Sequence, residues 1–164
     1  KRAGKRIKRK GATAGGWMSV FRAIFSAEKI GGCIMDIAED FFALDLSGFP
    51  MEQKIQKLEE WYETLPEPKT AVRNSYLIVW KIGILALKAN LLDVAEKWAE
   101  IGMQYEGIHN LGGEGAFQVG VVAFAKGDLE KAKQYFKMAK KNSGWRNFRN
   151  KNPAYRALID KKKQ

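Results

Sequence analysis

The chain has 164 residues, enough for one ordinary domain, and its 46% apolar and 12% aromatic content is too high for a disordered segment. One cysteine and one histidine exclude a disulfide framework, an all-protein Cys/His zinc site of ordinary make-up and every motif that needs two histidines. The net charge of +11 is unevenly placed: residues 1–17 carry seven Lys/Arg and no acid, residues 137–164 carry ten Lys/Arg and only Asp160, and residues 18–136 between them carry −5.

Residues 1–16, almost wholly Gly, Lys, Arg, Ala and Thr, read as a flexible basic tail. Met18 is a candidate start, which would make residues 1–17 leader, linker or foreign sequence. A basic stretch followed by apolar residues also imitates a signal peptide, but Arg22 interrupts the apolar run.

Residues 17–65 read as divergent N-terminal helices. Trp17, Val20, Phe21, Ile24 and Phe25 follow helical spacing, and after Gly31 and Gly32 a second stripe runs through Ile34, Ile37, Ala38, Phe41 and Phe42. Pro50 opens a third helix with Ile55, Leu58, Trp61 or Tyr62, and Leu65 on one face, and Pro66 and Pro68 stop it. The spacing then predicts helices over 70–88, 92–105, 114–126 and 128–141. Asn90 is expected as a left-handed cap, Gly127 as the stop of the helix before it, Asp128 as an N-cap, and 107–113 as a loop holding His109. Residues 144–164 read as a basic segment with a short helix opened by Pro153. No segment shows strand alternation, so the expected class is all-α. The longest apolar run, 76–87, is broken by Lys81 and falls short of the roughly 20 residues a membrane span needs.

Self-similarity at a step of 37 is the most informative feature. Gly83 maps to Gly120, Ala86 to Ala123, Asn90 to Gly127, Ala95 to Ala132, Trp98 to Tyr135 and Gly102 to Ala139. A small residue in the first helix lets the second cross closely, and an aromatic in the second fills the groove of the pair. Neither helix buries its face alone, so such pairs stack. A further step back reaches Leu58, Trp61 and Leu65, a divergent third pair.

Gly120, Gly127-Asp128, Ala132, Phe136 and Ala139 fall at the spacing of the tetratricopeptide repeat (TPR) signature, and residues 126–139 resemble its second helix. The resemblance covers 70–143. It departs from the family in Ala116 and Ala123, which replace aromatics, in Gly144, which replaces a proline, and in the period of 37 against about 34. It implies antiparallel helix pairs stacked as a short TPR-like solenoid with a divergent N-terminal helical cap. It also implies a groove lined by the first helices, with Tyr76, Leu77, Trp80, Ile84 and Lys88 from one pair and Phe117, Val121 and Phe124 from the next. Core packing competes with that reading at each of these positions. The stretch 147–156 is similar to the end of small bacterial TPR-like immunity proteins of polymorphic toxin systems. That likeness implies an immunity or antitoxin role, with Glu59, Glu60, Glu63, Glu96 and Glu100 meeting cations of a toxin.

Other polar groups carry blander readings. His109 lacks a nucleophile or acid beside it in sequence and is expected as a surface or partner-contacting residue. Cys33 reads as a buried, inert thiol. Residues 112–115 lack the Gly-Lys-Ser/Thr ending of a phosphate cradle and read as an inter-repeat turn. Asp36, Glu39, Asp40 and Asp45 read as a solvated face. Two basic clusters remain as contacts for an acidic partner or nucleic acid: Lys1, Arg2, Lys5, Arg6, Lys8, Arg9 and Lys10, and then Arg146, Arg149 and Arg156. The latter interleave with Trp145, Phe148 and Tyr155 as in single-strand binders.

These features predict a non-enzymatic protein-binding module without cofactor or metal, in the cytoplasm or another reducing compartment. The competing reading is a small subunit of a large assembly, such as a nucleoprotein, anchored by its basic ends. Oligomeric state is not legible in the sequence.

Overall fold

A computed structural model describes residues 35–109 and 111–160. The expected tail, the helix from Trp17, Cys33, the basic contacts Lys1 to Lys10 and the final lysines lie outside the described residues.

The described chain is all-α. Seven α-helices follow in order: α1 (Ala38–Ala43), α2 (Met51–Thr64), α3 (Tyr76–Lys88), α4 (Leu92–His109), α5 (Glu114–Ala125), α6 (Leu129–Ser143) and α7 (Pro153–Ile159). Two 3-10 turns, Lys69–Ala71 and Arg146–Phe148, lie before α3 and α7. Each helix from α2 onward packs mainly on its neighbours in sequence, with α3 on α4 and α5 on α6 as the tightest hairpins.

The 37-residue step reappears in the backbone bonds of these hairpins. Leu91 N donates to Ala86 O at 2.9 Å, and Asp128 N donates to Ala123 O at 2.9 Å. Asn90 N reaches Leu87 O at 3.2 Å, and Gly127 N reaches Phe124 O at 3.1 Å. Asn90 and Gly127 have φ of 58° and 83°: Asn90 is the left-handed cap expected there, and Gly127, expected only to stop its helix, turns left-handed too. Ala95 and Ala132, both wholly buried and fourth in the two second helices, make the same bond one turn back, to Leu91 O and Asp128 O. Asp128 caps α6 by accepting from Lys131 N at 2.9 Å.

The predicted helix over 70–88 starts late, at Tyr76. The backbone before it is committed elsewhere: Arg73 N donates to Met35 O at 2.8 Å and Arg73 O accepts from Ile37 N at 3.2 Å, a lone bridge that joins distant segments. Asn74 turns left-handed at φ 64° and donates from Nδ2 to Asp36 Oδ1 at 2.8 Å. The predicted helix over 92–105 runs on to His109, so His109 sits in a helical turn and not in a loop.

The core has two linked parts. Around α2 to α4 it holds Leu58, Trp61, Tyr62, Ile78, Ile82, Trp98 and Tyr105. Its polar atoms are satisfied in a chain: Tyr62 and Tyr105 hydroxyls lie 3.1 Å apart, Tyr105 lies 3.1 Å from Ser75 Oγ, and Ser75 Oγ sits 2.8 Å from the Lys69 and Val72 carbonyls. Carbonyls only accept, so Ser75 Oγ is the donor at its end of this chain. Burial, then the Tyr105 bond, pushes the Tyr62 phenol well above its usual range. Around α5 to α7 the core is Phe117, Phe136, Phe148, Ala132, Ala139 and Ile159.

Candidate functional site

α3 is apolar almost all round and buried over most of its circumference by α2, α4 and α5. One arc stays open. Ile84 is 39% exposed on it, with Lys81 and Lys88 exposed beside it and Leu77 half-buried. Tyr76 and Trp80 border this arc, with ring centroids 4.8 Å apart. The Trp80 indole leans on Gly102 of α4, where a Cβ would lie 3.8 Å from Cδ1 and Nε1. Its buried Nε1 has no acceptor among the described residues.

The second half of the predicted groove is largely filled. Phe117 is 3% exposed and makes ring contacts with Phe136, Phe148 and Tyr155, so it is core and not groove. Phe124 is half-buried against Tyr155, with centroids 5.1 Å apart. Helical spacing alone places both on a partner-facing strip, because nothing local in the sequence shows that α7 folds over that strip. Besides Phe124, α5 leaves Glu114 and Val121 half-buried, with Gln118 buried between them. Gln118 Oε1 would lie 3.8 Å from a Cβ at Gly83, so this line adjoins α3. Burial raises the Glu114 carboxyl above the usual carboxylate range, opposed by Lys151 and the Gln118 bond.

The glycine-rich turn before α5 holds an anion, but it is the chain's own. Gly112 and Gly113 have φ of 68° and 81°, and the backbone N–H groups of Gly113 and Gly115 both donate to the Glu106 carboxylate, the latter at 2.9 Å. Glu106 therefore fills the N-terminal anion position of α5 that a phosphate would need. His109 is equally committed. Its Nε2 lies 2.7 Å from Thr70 O, and its ring stacks on Tyr105 with centroids 5.8 Å apart. A carbonyl cannot donate, so Nε2 carries the proton.

Most of the acidic residues expected to meet a partner meet this chain instead. Glu59 accepts from Trp98 Nε1 at 2.9 Å, Glu60 from Gln56 at 2.9 Å, and Glu63 pairs with Lys69 at 3.3 Å. Glu96 bridges Lys126 at 2.6 Å and Lys131 at 2.7 Å, tying α4 to both ends of the α5–α6 turn, and Glu100 lies 3.9 Å from Lys131. Asp36 pairs with Arg73 and bonds Asn74.

The Lys126 bond first, then Lys131, pulls the Glu96 carboxyl down to about 2, while Lys126 is raised by Asp93 and Glu96. A depressed folded pKa means stability that is present above the unfolded value of 4.5 and lost as pH falls toward 2. These side chains are about 30% exposed, so the network is expected to contribute about 1 kcal/mol. Glu96→Gln should lose that amount at pH 7 and show a flatter acid limb below pH 4.5, read by urea denaturation across pH. An equal gap between variant and parent at pH 7 and pH 2.5 would leave the network without a role in stability.

The basic C-terminal residues do not form a stacking platform. Phe148 is buried and Tyr155 is packed on Phe136 with centroids 5.1 Å apart. Trp145 carries Lys140 Nζ at 3.9 Å and the Arg156 guanidinium at 4.4 Å from its ring centre. Arg146 reaches the Gly112 carbonyl at 3.4 Å, while Arg149 points outward, exposed.

No described helix is long and apolar enough to cross a membrane. Compared with protein families, with curated proteins and with solved structures, the chain finds no match.

Proposed function

We propose that the chain is a non-catalytic protein-interaction module whose TPR-like helix pairs present the open arc of α3 to a partner segment. The observation that carries this reading is Ile84, a large aliphatic side chain 39% exposed on a helix otherwise buried on its remaining sides. Exposed Lys81 and Lys88 flank it, so the arc suits a segment with an apolar anchor and acidic neighbours. The recurrence of the same turn bonds 37 residues apart supports the TPR-like reading. An immunity or antitoxin role is the most specific form of it, with the partner a toxin whose surface the helix pairs would cover. His109, the chain's one histidine, has its Nε2 bound to a backbone carbonyl, which speaks against a general base there.

The test is capture of partners from the native source by the full chain, with nuclease added, beside the double variant Ile84→Asp/Lys88→Glu. Both side chains are exposed, so the variant should stay folded with a stability change within about 1 kcal/mol. The expected result is one specific, nuclease-resistant protein retained by the parent and lost by the variant. Equal retention by both would remove the α3 arc as the binding surface.

A further inference from the structure

We propose that the C-terminal end of the fold is a second, independent surface that holds the phosphate backbone of a nucleic-acid strand without reading its bases. Residues 129–160 carry nine Lys/Arg against Glu130 and Asp160 alone. Lys131, Lys133 and Lys140 are met by Glu96, Glu130 and Asp160. The other six, Lys137, Lys141, Arg146, Arg149, Lys151 and Arg156, are exposed and have no ion-pair partner among the described residues. Elsewhere Lys69 meets Glu63 and Glu67, Arg73 meets Asp36, and Lys126 meets Asp93 and Glu96, while exposed Lys81, Lys88 and Lys97 on α3 and α4 have no ion-pair partner among the described residues either. The unpaired charge is densest at this end, where only the half-buried Glu114 carboxyl acts on Lys151 and Arg146 from outside the segment, and like charges gathered there repel until an anion joins them.

Geometry narrows the anion. Trp145 holds Arg156 and Lys140 against its ring, so two cations are positioned before any partner arrives. Three of the six free cations are arginines, whose planar forks suit phosphate. The aromatic faces that would stack bases are taken, since Phe148 and Tyr155 pack in the core and Trp145 carries its two cations. What is left contacts backbone and carries no sequence information. Against an acidic protein, a nucleic acid offers one charge per roughly 1.7 Å of duplex and gains from released counterions, which favours it for a dense cationic face. Lys161, Lys162 and Lys163 continue the run in sequence.

The test is fluorescence anisotropy of the full chain with a labelled 20-nucleotide oligo-U strand and a mixed-sequence strand of equal length. Both should bind alike, with log K falling linearly against log salt. Lys141→Glu/Arg149→Glu/Lys151→Glu should weaken binding at least about tenfold and lower the salt slope by about 0.7 for each phosphate no longer neutralised. Gln53→Glu/Lys54→Glu/Lys97→Glu/Gln104→Glu, with the same total change of charge on α2 and α4, should bind nearly as the parent does. Four outcomes would each overturn the proposal: no binding by the parent at 50 mM salt; equal weakening in both variants; undiminished binding by the first variant, which moves the binding surface to another segment such as residues 1–10; or polyglutamate of equal length competing as well as the strand, which makes the partner an acidic protein. None of them touches the α3 arc, whose partner is read with nuclease present.

Discussion

Phe148→Ala is expected to destabilise the fold by about 3–5 kcal/mol, the largest single effect foreseen for this chain. Phe148 lies in a three-residue turn between two basic stretches, where composition suggests a solvated tail. Yet it is 2% exposed, meets Phe117 edge-on at 5.0 Å and Phe136 at 5.6 Å, and has Trp145 against it at 5.4 Å. Deleting the ring removes its buried area and leaves a cavity lined by aromatics, which are too large and too well held to collapse into it. The neighbouring bond from Asn147 Nδ2 to Gly112 O at 3.0 Å, itself buried, fixes the turn and resists such a collapse. Arg149→Ala, one position on and exposed, should shift stability by less than about 0.5 kcal/mol. Urea denaturation followed by helical circular dichroism separates the two. A Phe148→Ala chain as stable as the Arg149→Ala chain would mean that the C-terminal segment does not belong to the folded core.

That contrast also shows where local sequence stops being informative. Helix identity is legible because it rests on short-range periodicity: the stripe of Ile55, Leu58, Trp61 and Tyr62 marks α2, and Gly127-Asp128 marks the turn into α6. The internal repeat is legible because both hairpins use the same caps. The misread positions all depend on partners far along the chain. Residues 72–75 leave the helix because Arg73 pairs with Met35 and Ile37, more than 30 residues away. His109 stays in α4 with its ring anchored to Thr70, 39 residues away. For the site, helical spacing places Leu77, Trp80, Ile84 and Lys88 on an open or half-open face, whereas Phe117 and Phe124 require knowing that α7 folds over α5. The wide spacing of cations at 146, 149 and 156 hides which aromatics between them point inward. One signal is present: Phe148, Tyr155, Leu158 and Ile159 supply as many apolar groups as a buried face needs, more than a tail would carry.

Gly83 and Gly120 occupy equivalent places in the two first helices, and the same substitution at each is expected to act in opposite directions. A Cβ at Gly120 would lie 2.6 Å from Cδ1 and Cε1 of Phe136, closer than atoms can approach. Phe136 cannot yield easily, being fully buried between Phe117, Phe148 and Tyr155. Gly120→Ala must therefore push α5 and α6 apart or force the ring off its rotamer, at roughly 2–3 kcal/mol, which more than cancels the helix-forming gain of alanine. At Gly83 the nearest atom to a new Cβ is Gln118 Oε1 at 3.8 Å, an ordinary contact. Gly83→Ala should keep that gain, about 0.5–1 kcal/mol, and raise the midpoint of unfolding. The difference between the two variants, about 2–3 kcal/mol, measures how closely the second hairpin is crossed compared with the first. Equal and small effects at the two sites would show that glycine at 120 is not needed for the approach of α6. Equal and large losses would show that Gln118, wedged beside Gly83, is as rigid as the Phe136 ring, and that the first pair is packed as tightly as the second.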